Sequence, residues 1–452
     1  MESDHKKRKK NQPLSLGITA QGLPLSATLA IDELIAKKKQ TNDERLLHMG
    51  FGESSLPLHP ALRKALSDAA TYTRYGPVRG ILELRQAIAS YLGRTRGITC
   101  ESQQVVIGPG SKALIYALLR LLEGDVLLPS PSWVSYAPIA RLGGKRVIPV
   151  QTDPEDHHTL RAEVLAETVR LAKKDGANPR MLIINSPDNP TGGMFDEEDV
   201  KAIAEWARSE GITLISDEIY AELAHGWRKH VSPFQFYPEG TILLAGLSKT
   251  FSAGGWRLGY AVLPATETGE KVINAIRALG SEVWSTTATP IQKAAVEAYS
   301  PNKSIEKYVK ASAKIFGYTT EELYKTYIDV GILCARPAGG FYLYPDFEPF
   351  RKALEKEGVR SGKELSTYLL EKWNIAALPA SAFGEEDAVL RLRTSTNTLV
   401  EPGNVHTPQE REKALWRILD EVLEDNFDHD FPILSFAKER WTKVIKHLTN
   451  KR

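Results

Sequence analysis

Sulfur is scarce in this chain: of 452 residues only Cys100 and Cys334 are cysteine, and four are methionine. Two cysteines cannot build a disulfide framework or a cysteine zinc site, so both readings fall away. No apolar run is long enough to span a bilayer, and the N-terminus has no apolar stretch of the secretory kind, which points to a cytoplasmic protein with no membrane partner. One-signed charge is also lacking. A formal net charge of +2 gives no global reason to bind nucleic acid, and the run His5-Lys6-Lys7-Arg8-Lys9-Lys10 reads as a solvated tail. Neither a Gly-Lys-Ser/Thr phosphate loop nor a G-x-G-x-x-G dinucleotide turn is present. His157-His158, set among Asp153, Glu155 and Asp156, reads as a polar loop, so no metal is expected. There is no internal repeat.

What is there suits a large core: 42% of the residues are apolar and 25% charged, which excludes a disordered chain. Short β-branched runs alternate with helical segments, the pattern of a mostly parallel sheet with helices on both faces. Seven strands are predicted, at Gln104–Ile107, Val126–Leu128, Arg146–Val150, Met181–Asn185, Thr213–Ser216, Ile242–Ala245 and Gly259–Leu263. Helices are expected at Lys112–Leu122 and Glu197–Ser209, the second closed by Gly211. After about Pro290 the chain turns to longer, more charged helices with isolated strands such as Gly340–Tyr344 and Val389–Arg393. The expected organisation is therefore an N-terminal tail and arm (1–54) packing on the small domain, a large α/β domain (55–297) and a small α+β domain (298–452).

Ligands of open α/β sheets bind beyond the carboxyl ends of the strands, and unusual residues cluster at those points. Gly108-Pro109-Gly110-Ser111-Lys112 opens a helix with small residues, offering backbone N–H groups to a phosphate, although it equally describes an ordinary helix start. Trp133, after the second strand, is placed either to stack on a flat ring or to pack in the core. Asn189 lies between two prolines in Ser186-Pro187-Asp188-Asn189-Pro190-Thr191-Gly192, a tight turn with an amide free to donate and a candidate cis bond before Pro190. Asp217 leaves an apolar strand and needs a cation, whether an arginine or a protonated pyridine nitrogen. Lys249, among small apolar residues, is easily deprotonated and able to form a Schiff base, and Arg257 offers a fork for phosphate.

Taken together these segments resemble the class I/II aminotransferases of the fold-type I pyridoxal-phosphate-dependent enzymes. Five motifs agree in order: Tyr75-Gly76-Pro77 with Gly80 and Leu84-Arg85, then Gly110-Ser111-Lys112, Asn189-Pro190-Thr191-Gly192, Asp217-Glu218-Ile219-Tyr220, and Ser248-Lys249 with Gly255-Trp256-Arg257-Leu258-Gly259. The resemblance implies pyridoxal 5′-phosphate as cofactor, carried by Lys249, which then serves as base and acid. It implies Asp217 on the pyridine nitrogen, Asn189 and Tyr220 on the phenolic oxygen, and Trp133 over the ring. Gly110, Ser111, Lys112, Arg257 and Ser248 would form the phosphate cup, with Tyr75 reaching the phosphate of a neighbouring subunit in a homodimer with shared sites. Gly52 and Arg391 would hold the substrate carboxylate, a role that a two-residue shift along the strand hands to Arg393.

Two departures stand out: Gly246 occupies a position where many relatives carry a hydroxyl phosphate ligand, and Asp188 one where many carry an amide. The implied activity is transfer of an amino group from an L-amino acid to a 2-oxo acid by a ping-pong route. A lyase or synthase on the same cofactor is the alternative. Residues 1–54 lack a helix-turn-helix pattern, which sets aside a cofactor-binding regulator fused to a DNA-binding module. Trp284 and Tyr342 are candidates to line an aromatic-tolerant side-chain pocket, with packing in the core the commoner fate of both.

Overall fold

A computed structural model describes residue 35 and residues 46–451 apart from 404, 425, 426, 428 and 430. The basic run at 5–10 lies outside the described residues. The first described strand, β1 (Leu47–His48), pairs in parallel with a distant two-residue strand near residue 375.

All seven predicted strands form and join one sheet: β2 (Val105–Gly108), β3 (Asp125–Ser130), β4 (Val147–Gln151), β5 (Pro179–Asn185), β6 (Thr213–Asp217), β7 (Thr241–Gly246) and β8 (Gly259–Val262). Their order is β2-β8-β7-β6-β5-β3-β4. Pairings are parallel except at β8, which runs antiparallel to both β2 and β7. The strands read as continuous apolar runs because both faces are covered. Alternate residues go to opposite faces: Met181, Ile183 and Ile215 join the core under the helices Ser111–Leu121 and Glu267–Val283. Leu182, Ile184 and Leu214 face the helices Ala162–Lys174 and Glu197–Glu210. Each fully buried aliphatic side chain contributes roughly 1.5–3 kcal/mol.

The helix Glu197–Glu210 shows how local sequence sets its bounds. Asp196 caps it by accepting from the Asp199 amide at 2.9 Å, three carboxylates occupy its first turn, and Gly211 ends it at φ 66°, a left-handed conformation that suits glycine.

Beyond the large sheet, β9 (Tyr342–Leu343), β10 (Ile375–Ala376), β11 (Leu378–Pro379) and β12 (Leu392–Ser395) complete the strands. β10 is the partner of β1, and the other three form a sheet in the order β11-β12-β9. A 27-residue helix, Lys303–Asp329, crosses this region and shares its core with the helices Pro408–Glu421 and Pro432–Thr449. Leu47, Met49 and Leu56 bury their side chains in the same cluster. No described helix is long and apolar enough to cross a membrane.

Parallel pairing aligns the carboxyl ends of β5, β6 and β7, and reversal of β8 brings its first residue to the same edge. Asn185 lies opposite Asp217, and Gly246 opposite Gly259. Asn189, Asp217 and Lys249, all marked by the sequence, lie at or just past this edge.

Candidate active site

Asp217, the last residue of β6, is 4% exposed. Tyr136 donates its hydroxyl proton to Oδ2 at 2.8 Å, and the Ile219 amide approaches Oδ1 at 3.4 Å. Among the described residues no cation stands within ion-pair distance, so burial pushes this carboxyl up to about 6. Asn185 braces the same point from β5: its Nδ2 donates to the Asp217 carbonyl at 2.7 Å and its Oδ1 accepts from the Asn189 amide at 2.9 Å. The turn is thus tied to the strand. Its cis bond lies at Ser186–Pro187, with a second at Ser130–Pro131; the bond before Pro190, the candidate from sequence, is not among them.

Lys249 sits three residues past β7, half-buried, with Nζ donating to the Gly52 carbonyl and 6.0 Å from the centroid of the Tyr220 ring. Burial lowers its amine to about 8, helped by Arg393 and Arg257 and opposed by Glu53 and Asp217. An amine so placed has an appreciable neutral fraction near pH 7.

The Gly110–Lys112 segment behaves as its composition suggests. Gly110 takes φ 89° as the residue preceding the helix Ser111–Leu121, and a Cβ on it would stand 2.3 Å from an Arg257 nitrogen. The guanidinium therefore rests directly on the helix start, in the space that glycine leaves. Arg257 is itself left-handed, at φ 51°, and donates to the Gly254 carbonyl at 2.8 Å. Lys112 feels the same cation: burial and Arg257 both lower its amine. Its Nζ lies 4.8 Å over the Trp133 ring, which is also edge-on to Tyr136 at 5.1 Å. Ser248 is half-buried beside Lys249. A Cβ on Gly246 would meet the Leu258 carbonyl at 2.7 Å and the Gly259 Cα at 2.9 Å. Two facing glycines let β7 and β8 close up, leaving no room for a side chain at position 246.

The two arginines near the end of the chain's third sheet part company. Arg391 is consumed by carboxylates, donating to Asp346 Oδ2 at 2.7 Å and to Glu385 Oε1. Arg393 is 1% exposed and has no carboxylate. It donates to Asn189 Oδ1 at 3.2 Å and to the Gly50 carbonyl, while its Nε is buried without a partner. The Tyr342 ring lies 4.8 Å and the Phe383 ring 5.3 Å from its guanidinium carbon. Tyr342 also links to the Tyr220 hydroxyl at 2.9 Å and touches Gly52 so closely that a Cβ there would sit 2.1 Å from its oxygen. Of the residues picked from sequence, the structure links Lys249 to Gly52 and Tyr220, Lys112 to Trp133, and Gly110 to Arg257 by direct contacts, and ties Asn189 and Asp217 together through Asn185. Tyr75 is 88% exposed.

This chain matches the family model described as aminotransferase class I and II over residues 45–402. The chain belongs to the class I and II aminotransferases. The aspartate aminotransferase of Geobacillus stearothermophilus is 33% identical over 399 residues, covering 85% of this chain and 96% of that protein. The aspartate aminotransferase of Bacillus subtilis is 31% identical, covering 86% and 97%. The solved structure of the Thermus thermophilus aspartate aminotransferase with maleate superposes with a TM-score of 0.76 at 27% identity, covering 90% of this chain and 99% of that one. The chain is thus an aminotransferase with the fold-type I architecture.

Two residues of this aminotransferase's candidate site, Tyr136 and Glu53, escaped sequence reading, and a third, Tyr342, signals only core or a side-chain pocket. Tyr136 has no motif signal beyond lying three residues after Trp133. Tyr342 reads as core, and is buried, yet its hydroxyl points into the site. Glu53 follows Gly52 and favours the charged form of Lys249. Trp284 packs on Gly280.

Proposed function

We propose that this aminotransferase uses pyridoxal 5′-phosphate, held by Lys249, to move the amino group of an L-amino acid to a 2-oxo acid in two half-reactions at one site. One observation carries the reading: charges without partners surround a single amine. A buried carboxylate with no cation (Asp217), a buried guanidinium with no carboxylate (Arg393), and Arg257 with Lys112 at a helix start have the complementary signs for a pyridinium, a substrate carboxylate and a phosphate. When bound, the cofactor supplies an aldehyde that exchanges amino groups and a protonated ring that takes up the electrons of a broken C–H bond.

The protein's part follows from its own atoms. Asp217 keeps the ring nitrogen protonated. Asn189, whose Oδ1 is occupied by Arg393, turns its Nδ2 to the phenolic oxygen together with the Tyr220 hydroxyl. Arg257, Lys112, Ser111, Gly110 and Ser248 hold the phosphate, and Trp133 covers the ring. Arg393, rather than Arg391, grips the α-carboxylate beside Gly52, because a guanidinium already holding two carboxylates is not available for a third. Lys249 Nζ, with its depressed basicity, is the atom that takes and returns the α-proton. Exposed Tyr75 reaches the phosphate of a second copy in a homodimer.

The test is incubation of purified enzyme, with added cofactor, with aspartate and 2-oxoglutarate, then with other amino donors. Glutamate should form, and Lys249→Ala should abolish both glutamate and the visible absorbance of the lysine-bound cofactor. A persisting band in that variant would overturn the assignment of Lys249. Release of ammonia without glutamate would instead mark a lyase.

A further inference from the structure

Tyr342, which lies against Arg393, is reached through residues 337–340, and one buried histidine holds that approach. Past the short turn Ala221–Leu223 the chain runs antiparallel to residues 337–340: Ala224 bridges Gly339, the His225 amide donates to the Ala338 carbonyl at 2.8 Å, and the Gly340 amide to the Leu223 carbonyl at 2.9 Å. The Ala338 amide donates in turn to the Gly192 carbonyl at 2.7 Å, at the end of the Asn189 turn. His225 adds its side chain to this seam. It is 3% exposed, with Nδ1 3.3 Å from the Pro337 carbonyl oxygen and Nε2 3.1 Å from that of Gly340. Carbonyl oxygens only accept and a neutral imidazole has one N–H, so the neutral ring donates to one of the two and turns a lone pair toward the other. Two residues beyond Gly340, Tyr342 meets the Tyr220 hydroxyl at 2.9 Å, lies 4.8 Å from the Arg393 guanidinium carbon and leaves no room for a Cβ on Gly52.

We propose that His225 is a positioning residue for the substrate-carboxylate seat: its neutral ring ties residues 337–340 to the segment after Tyr220, so fixing Tyr342 beside Arg393, and protonation of the ring loosens the tie. This rests on the reading of Arg393 given above. The sign follows from burial. Taking an imidazolium out of water is costly, and this desolvation lowers the pKa of the ring; the Gly340 and Pro337 carbonyls and Glu321 offset part of the effect, while Arg336 adds to it. Glu321, on the helix Lys303–Asp329, and Arg336, ahead of β9, are the charged groups facing the ring, and they pair with each other at 3.0 Å. A ring that is harder to protonate in the closed seam than in an opened one favours opening as pH falls through the ordinary histidine range, about 6.5 and below. Tyr342 is then less firmly held where the carboxylate docks.

Two substitutions separate the tie from its titration. His225→Gln keeps a neutral donor that cannot charge, and His225→Phe keeps a ring but removes both nitrogens. Hydrogen exchange of the full-length protein, corrected for the intrinsic pH dependence of exchange, reads the Ala338 and Gly340 amides directly. In the wild type their protection should fall about fivefold between about pH 7.5 and 5.5 and in His225→Gln it should stay level, while His225→Phe should lose about tenfold at both ends. With cofactor added, the KM for aspartate in His225→Phe should rise about fivefold at about pH 7.5 while kcat falls less than about twofold. Protection in His225→Gln that falls with acid as in the wild type, or an aspartate KM in His225→Phe equal to wild type, overturns the proposal. An unchanged aspartate KM in Arg393→Ala would instead remove the reading of Arg393, and the proposal with it.

Discussion

The candidate site at the sheet edge and the ionic clusters beside it contain the same kinds of side chain and treat them oppositely. Glu218, next in sequence to Asp217, is fully buried and surrounded: Arg96 at 2.8 Å, His230 at 3.1 Å, Ser216 at 3.0 Å, and Ser232 as well. Burial alone would push its carboxyl up, but His230, Arg96 and Ser232 bring it below the usual range. Asp217 has one tyrosine and no cation and goes the other way, up to about 6. The contrast repeats on β12 and just before it, where Arg391 is held by Asp346 and Glu385 while Arg393 holds none. Charges that stabilise the fold are matched inside it. On the proposed function, the unmatched charges are those left for a ligand to match.

The largest expected effect breaks the Asp217/Glu218 comparison directly. Asp217→Asn should cut kcat/KM by about 10³-fold, the scale of losing a preorganised electrostatic partner, without lowering the Tm of the cofactor-free protein near neutral pH. Glu218→Gln should do the reverse, costing about 1–3 kcal/mol by weakening the buried contacts to Arg96, which keeps Glu222 at 2.9 Å, while the lysine-bound absorbance remains; thermal melts and spectra of the two variants decide it. Next in size is the arginine pair. Arg393→Ala should raise the KM for an amino-acid donor roughly 10²- to 10³-fold, about two charge-assisted bonds. Arg391→Ala should leave KM within a few-fold and lower stability instead, as steady-state kinetics alongside melts will show.

The smallest effect is read from pH. Asp217 has its carboxyl raised by folding, so its contribution to cofactor-free stability is fully present below about pH 4 and lost as pH rises through about 6, amounting to about 3 kcal/mol. Denaturation of the wild type between pH 4 and 7 should show that loss, and Asp217→Asn should remove most of it. Saturating cofactor should abolish the decline, because a bound pyridinium reverses the shift.

All seven strands of the large sheet were legible from composition, since a strand buried on both faces reads as an unbroken apolar run and its boundaries fall at glycine, proline and polar clusters. The residues from Gly110 to Lys112, Asn189, Asp217 and Lys249 were legible for a related reason: each directly follows such a run, and the carboxyl edge is where a parallel sheet opens. Gly246 was visible as a departure, but its cause was not, because the obstruction comes from Leu258 and Gly259 across the strand pair.

The hydroxyl contacts of Tyr342 and Tyr136 were illegible because an aromatic with a buried ring and a hydrogen-bonded hydroxyl has the same one-letter signature as a core residue. Choosing between Arg391 and Arg393 required knowing where Asp346, Glu385 and Asn189 lie, at sequence separations of 45, 6 and 204. The sequence by itself determined the order of elements, the sheet edge and the chemical types gathered there, since these depend on periodicity and local turn chemistry. Which of those charged groups are neutralised and which stay unmatched was decided only by tertiary structure, because compensation is a property of distance in space between residues far apart along the chain.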